Sequence, residues 1–237
     1  MTGWILALLF GTLAWRTLRY ALVFPMWGDE GMLAVNFHAR GFLELLGPLD
    51  YGQVAPPGFL WLELAASKLL GFSEPALRLV PYLAAVAAVL LFWLACRKLL
   101  DRRSALMALA VFAASFYPVR YAAEVKPYSL DLLVAAGLLL LGWRALEGRR
   151  GLVGFALLAA LGVWLSYPSV FVAGGVLAVL AWTRRRDRTA LVRTVLAGTP
   201  LVLSFAAMLL VVGRTQAESG SFLLEHSHWE RAFPPLA

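Results

Sequence analysis

The stretch PPGFLWLELAASKLLGF, residues 56–72, decides how the chain is threaded. It is apolar enough to look like a membrane span. Yet its helical part, from Gly58 to Leu70, has only 13 residues and carries Glu63 and Lys68. At 1.5 Å per residue it would cover about 20 Å, against a hydrocarbon core of roughly 30 Å. Phe59, Leu62, Ala66, Leu69 and Leu70 recur with a helical period, which suits a helix lying in the interface.

The rest of the chain makes that choice consequential. It has 237 residues, of which 61% are hydrophobic and 15% charged, with a mean hydropathy of +0.76. A soluble domain carries about 25% charged residues, so the chain belongs with membrane proteins. Seven stretches can span: residues 3–23, 76–95, 104–121, 128–146, 151–167, 169–183 and 190–213. The sixth is short, and SYPS at 166–169, with Pro168, reads as the turn that divides it from the fifth. The start lacks a basic region and a small-residue cleavage site, which predicts an uncleaved first span.

Three basic clusters test the topology. RKLLDRR, RALEGRR and RRRDRTALVR supply four, three and five of the 21 basic residues. With seven spans and an inside N-terminus, all three face the cytoplasm, as the positive-inside bias requires. An eighth span at 58–70 would break that agreement. The dispersal also excludes a nucleic-acid reading of the formal charge of +7. A single cysteine, Cys96, excludes an internal disulfide. The expected architecture is an all-α polytopic membrane protein. It has about seven transmembrane helices, with juxtamembrane helices in a long first external loop, residues 24–75. DEGMLAVNFHARGFLELLG within that loop reads as an amphipathic helix or helix pair.

Function is sought on the external side, because long ordered loops carry it. Asp29 and Glu30 follow the first span at once. Two readings fit them: acids in a first helical turn that offset the macrodipole, or carboxylates for proton transfer. RYAAEVKPYSLD, residues 120–131, brings Glu124 and Lys126 to the same side, with Pro127 setting the turn. These are either a solvated ion pair or a phosphate-holding cation beside an orienting acid. Asp131, inside the following span, needs a partner or a wet cavity. Arg16 and Arg19 are expected to snorkel to the outer headgroups. His226 and His228, spaced i, i+2, have no further ligand set, so metal binding is the minority reading there, and Asn36 and His38 read as polar-face residues.

Together, WGDE at 27–30, APPGFLWL at 55–62, RYAAEVKPYSLD and the terminal HWERAFPP resemble the GT-C glycosyltransferases of the family 39-like group. That group includes protein O-mannosyltransferases, the lipid A aminoarabinose transferase and lipopolysaccharide galacturonosyltransferases. The resemblance implies one catalytic module over residues 1–237. It implies transfer of a monosaccharide from a polyprenyl-phosphate donor to a hydroxyl of a lipid, glycan or protein acceptor. The site would face the exterior or periplasm of a bacterial inner membrane. It makes Asp29 the general base, with Glu30 beside it. Glu124, Lys126, Tyr128, Arg120 and Gln53 become the substrate contacts. Ala55 stands where several relatives carry His or Lys before the two prolines, so that contact is either missing or moved to Gln53. The resemblance makes no cofactor certain and leaves a divalent metal open. Relatives continue into further spans, so an N-terminal part of a longer protein is expected. The competing class is a transporter or lipid flippase, which would place coupling residues near the midplane.

Overall fold

The computed structural model describes residues 2–225, with side chains placed over 3–148 and 151–215. His226 and His228 lie outside the described residues. The described chain is helical throughout: α1 (Thr2–Ala21), α2 (Gly28–Ala39), α3 (Pro57–Leu70), α4 (Glu74–Leu99), α5 (Arg102–Ala114), α6 (Phe116–Arg120), α7 (Tyr128–Glu147), α8 (Arg149–Leu165), α9 (Ser169–Thr183) and α10 (Arg188–Glu225). Short 3₁₀ turns at Glu44–Leu46, Asp50–Gly52 and Tyr121–Ala123 complete it.

α4 with 26 residues, α7 with 20, and Arg188–Thr215 of α10 are long and apolar enough to cross a membrane. α5 and the segment Phe116–Ala123 form a fourth candidate, bent by 60° at their break. α8 and α9 are apolar but only 17 and 15 residues long. Three to four spans are therefore shown by length and composition. The divide between α8 and α9 falls at the predicted turn, where Ser166 and Pro168 flank the helix ends.

The three largest apolar clusters among the described residues hold the bundle. Val134, Leu138, Phe155, Val163, Ala173 and Leu201 join α7 to α10. Trp93, Cys96, Ala105 and Leu109 seat α1 on α4 and α5. Leu33 and Phe37 of α2, Phe59, Leu60 and Leu64 of α3, Leu77 of α4, and Val125 and Leu130 form the third. That third cluster makes the first loop a packed unit fused to α4 and to the start of α7.

α3 begins with Pro57 at its first position and stops at Gly71, whose φ of +87° suits glycine. Its predicted stripe is only partly the buried one. Phe59 and Ala66 are buried, while Leu62, Leu69 and Leu70 remain exposed. Against protein it turns Phe59, Leu60, Glu63, Leu64 and Ser67 instead. An apolar stripe left uncovered by protein is what an interfacial helix presents to lipid.

Two charged groups are buried against expectation. Arg16 does not reach outward: it is fully buried, gives Nη1 to the Thr12 carbonyl at 3.2 Å, and lies 4.9 Å from the Phe112 ring. Arg16 lies with Thr12 on the side of α1 that packs against protein, while Trp15 and Leu18 stay exposed, so the guanidinium settles on a carbonyl and an aromatic face. Glu63 is fully buried with neither carboxylate oxygen partnered. Burial pushes its carboxyl well above the ordinary range. The unfolded chain gives up this proton near the usual carboxylate pKa and the folded chain holds it. Stability is therefore lost as pH rises from that value toward the folded pKa. Glu63→Gln is expected to match or exceed the parent's melting temperature at pH 8, the gap closing toward pH 4. A variant less stable at pH 8 would mean that the carboxylate is ionised and partnered.

Candidate active site at the junction of two loops

α2 starts directly behind Trp27, so Asp29 and Glu30 occupy its first turn. Successive helical residues point about 100° apart, and the two acids face different surroundings. The Asp29 side chain is 60% exposed, whereas that of Glu30 is 1% exposed.

Glu30 holds two loops together. Oε1 accepts from the Trp27 N–H at 3.1 Å, closing the helix start. Oε2 accepts from the Val125 N–H at 2.9 Å, across 95 residues of chain. The guanidinium of Arg78, itself 3% exposed, lies 3.7 Å away. Arg78 also donates to the Phe24 carbonyl at 2.5 Å and pairs with Glu74 at 3.4 Å. The exit of α1, the start of α2, the start of α4 and the second loop thus meet on one buried carboxylate.

That clamp sets the position of the residue after Val125. Lys126 places Nζ 3.1 Å from Asp29 Oδ2 and 3.4 Å from Gln53 Oε1. Its side chain is only 12% exposed, so its charge is aimed at these two groups and at whatever enters between them. One residue before the clamp, Glu124 accepts from Arg120 Nε. The Arg120 guanidinium in turn lies 4.9 Å from the Trp27 ring. Tyr128 stands two residues beyond Lys126, its ring 4.3 Å from that of Tyr121. The Tyr167 hydroxyl donates to the Ala55 carbonyl at 3.0 Å, fixing the approach to Pro56 from the α8–α9 turn.

All seven residues singled out from the sequence therefore lie in one neighbourhood. Asp29, Lys126 and Gln53 are in direct line. Arg120 and Glu124 form an adjoining pair, Tyr128 belongs to a ring pair, and Glu30 sits beneath as the buried clamp. Asp131 lies beside Ser166, with Oδ1 unpartnered. Asn36 is structural, accepting from the Asp50 N–H at 2.9 Å.

Arg78 escaped the sequence reading, and Trp27 entered it only as part of WGDE. Arg78 falls inside a predicted span, where an unexplained charge is itself a signal that a partner exists. Among the described residues no group of three His, Cys, Asp or Glu is placed to hold a metal ion. Chemically, the arrangement offers an exposed carboxylate, a half-sheltered ammonium and a guanidinium–carboxylate pair. It suits a polyol and an anion held side by side.

No curated protein and no solved structure gives a match to the chain. Residues 54–212 match the family model described as dolichyl-phosphate-mannose-protein mannosyltransferase. The match takes in α3 and the whole second loop; it begins one residue after Gln53 and leaves Asp29 and Glu30 outside it. Covering well over half of the chain, it shows that this is a member of the dolichyl-phosphate-mannose-protein mannosyltransferase family, membrane glycosyltransferases that draw on a lipid-linked sugar donor.

Proposed function

We propose that the chain moves a monosaccharide from a polyprenyl-phosphate donor to an acceptor hydroxyl on the external face of a bacterial inner membrane. Asp29 acts as general base in this reading. The observation that carries it is the contact of Asp29 with Lys126, an exposed carboxylate and a sheltered cation brought together from two separate loops. The reading includes the seven-span topology with an inside N-terminus, in which α1, α8 and α9 also cross and residues 1–237 form one catalytic module. Family membership disfavours the transporter alternative.

In the resting site Lys126 neutralises Asp29. A donor phosphate competes for the same ammonium and frees the carboxylate to face the acceptor hydroxyl. The acceptor oxygen attacks the anomeric carbon and its proton passes to Asp29. The bond from that carbon to the phosphate oxygen breaks, and polyprenyl phosphate leaves with one more negative charge than the donor carried. Lys126, with Arg120 nearby, stabilises that charge more strongly in the transition state than in the ground state. One displacement of this kind inverts the anomeric carbon. Tyr128 and Gln53 line the same opening as sugar or phosphate contacts, and Glu124 orients Arg120.

The test is transfer from a panel of radiolabelled polyprenyl-phosphate sugars in membranes carrying the full chain. Transfer from at least one member is expected. Donor binding without transfer to any acceptor tried would count against the reading. In the same assay Lys126→Gln is expected to raise the donor KM about tenfold, a change on the scale of one charge-assisted hydrogen bond. Lys126→Arg should recover part of it. An unchanged donor KM in Lys126→Gln would remove the phosphate from this position.

A further inference from the structure

At the far end of α4 from Asp29 lies a second polar site. Beyond the core formed by Trp93, Cys96, Ala105 and Leu109, a cavity of about 550 Å³ remains between α1, α4 and α5. Leu6 and Leu9 of α1, with Trp93 and Leu100, form its apolar wall, and Arg97 and Arg102 stand at its rim. Both arginines are exposed, and among the described residues neither forms an ion pair. The nearby carboxylate of Asp101 is already engaged. Its Oδ1 accepts from the backbone N–H groups of Arg103 at 2.9 Å and Ser104 at 3.2 Å, and its Oδ2 from the Ser104 hydroxyl at 2.5 Å. Two guanidinium groups are thus left with no anion to hold.

Depth relates the two halves of the cavity. α4 has 26 residues, about 39 Å, and so exceeds a hydrocarbon core of roughly 30 Å. Its last turn, which carries Arg97, reaches headgroup level. Trp93, one turn deeper, sits where interfacial aromatic residues collect. The Arg97 guanidinium lies 5.9 Å from the Trp93 ring, so the charged rim and the apolar wall are continuous. Forked guanidinium groups suit a phosphodiester, and basic pockets between membrane helices hold anionic headgroups.

We propose that this cavity binds one anionic phospholipid. Its phosphodiester lies between Arg97 and Arg102, and an acyl chain runs along Leu6, Leu9 and Trp93. The site is separate from the sugar-donor site at the opposite end of α4 and does not depend on the reading of that site.

The test uses the purified full chain in neutral phosphatidylcholine, titrated with phosphatidylglycerol, following lipid retention by native mass spectrometry and melting temperature together. Saturable retention of phosphatidylglycerol over phosphatidylcholine is expected, with a rise in melting temperature that inorganic phosphate at equal concentration does not reproduce. Arg97→Gln with Arg102→Gln should weaken retention by roughly 30-fold, on the order of two juxtamembrane charges. Arg185→Gln with Arg186→Gln, which removes the same charge elsewhere, should leave it unchanged. Leu6→Trp fills the apolar arm while keeping both arginines, and should also weaken it, which covers the case of a double variant that fails to fold. Equal retention of both lipids would overturn the proposal. So would equal losses in the two charge-removal pairs, or free phosphate giving the same stabilisation.

Discussion

Asp29→Asn is expected to lower kcat for sugar transfer by roughly 10²–10⁴-fold, the usual weight of a positioned general base, with the donor KM little changed. Asparagine keeps the shape of the side chain and its place in the first turn of α2, and it cannot take a proton from an attacking hydroxyl. The fold should not suffer. The Asp29 side chain is 60% exposed, and exposed ion pairs contribute about 0–1 kcal/mol. Melting temperatures of parent and variant should therefore nearly coincide, which makes the lost activity chemical in origin. Transfer at the parent rate by Asp29→Asn would move the base to another group, with Glu124 the next carboxylate in the cluster.

Glu30→Ala is expected to destabilise the fold by about 3 kcal/mol, because it removes the buried carboxylate beside Arg78, which keeps only the partly exposed Glu74 and the Phe24 carbonyl. It also strips the Val125 and Trp27 N–H groups of their acceptor. Lys126 is then no longer held against Asp29, so activity should fall along with stability. Glu30→Gln separates the two possible roles. Its carbonyl oxygen can still accept one of those bonds, and the variant should retain far more activity than Asp29→Asn. Thermal unfolding in detergent, read beside the transfer rate, checks both. If Glu30→Gln proved as stable as the parent but as inactive as Asp29→Asn, Glu30 would be taking part in the chemistry rather than positioning it.

The adjacency of Asp29 and Glu30 points to the site, but only the family resemblance, and no local pattern, tells the two apart. What separates them is Val125, 95 residues away, and a contact of that range has no signature in a local pattern. The helices themselves were legible because their evidence is local. Apolar runs, the SYPS turn and Pro57 at a helix start all act within a few residues. The same holds for the short length of α3. Its buried face was not legible, because Glu63 points inward where a charge is least expected and Leu69 outward. Arg16 misled for a related reason: snorkelling assumes a side chain edged by lipid, and Arg16 sits on the side of α1 that packs against protein. The sequence groups the second-loop residues by their spacing, yet the line from Gln53 through Lys126 to Asp29 emerges only from the fold. Arg78 stayed hidden because its partners Glu30 and Phe24 lie in a different segment.

The most direct measurement of the central claim is the anomeric configuration of the transferred sugar, read by NMR on product made by the full chain from a polyprenyl-phosphate donor of defined configuration. Direct attack by an acceptor hydroxyl deprotonated by Asp29 predicts inversion at the anomeric carbon in every turnover. A retained configuration would require two successive displacements through an enzyme nucleophile, and would contradict a single displacement with Asp29 as its general base.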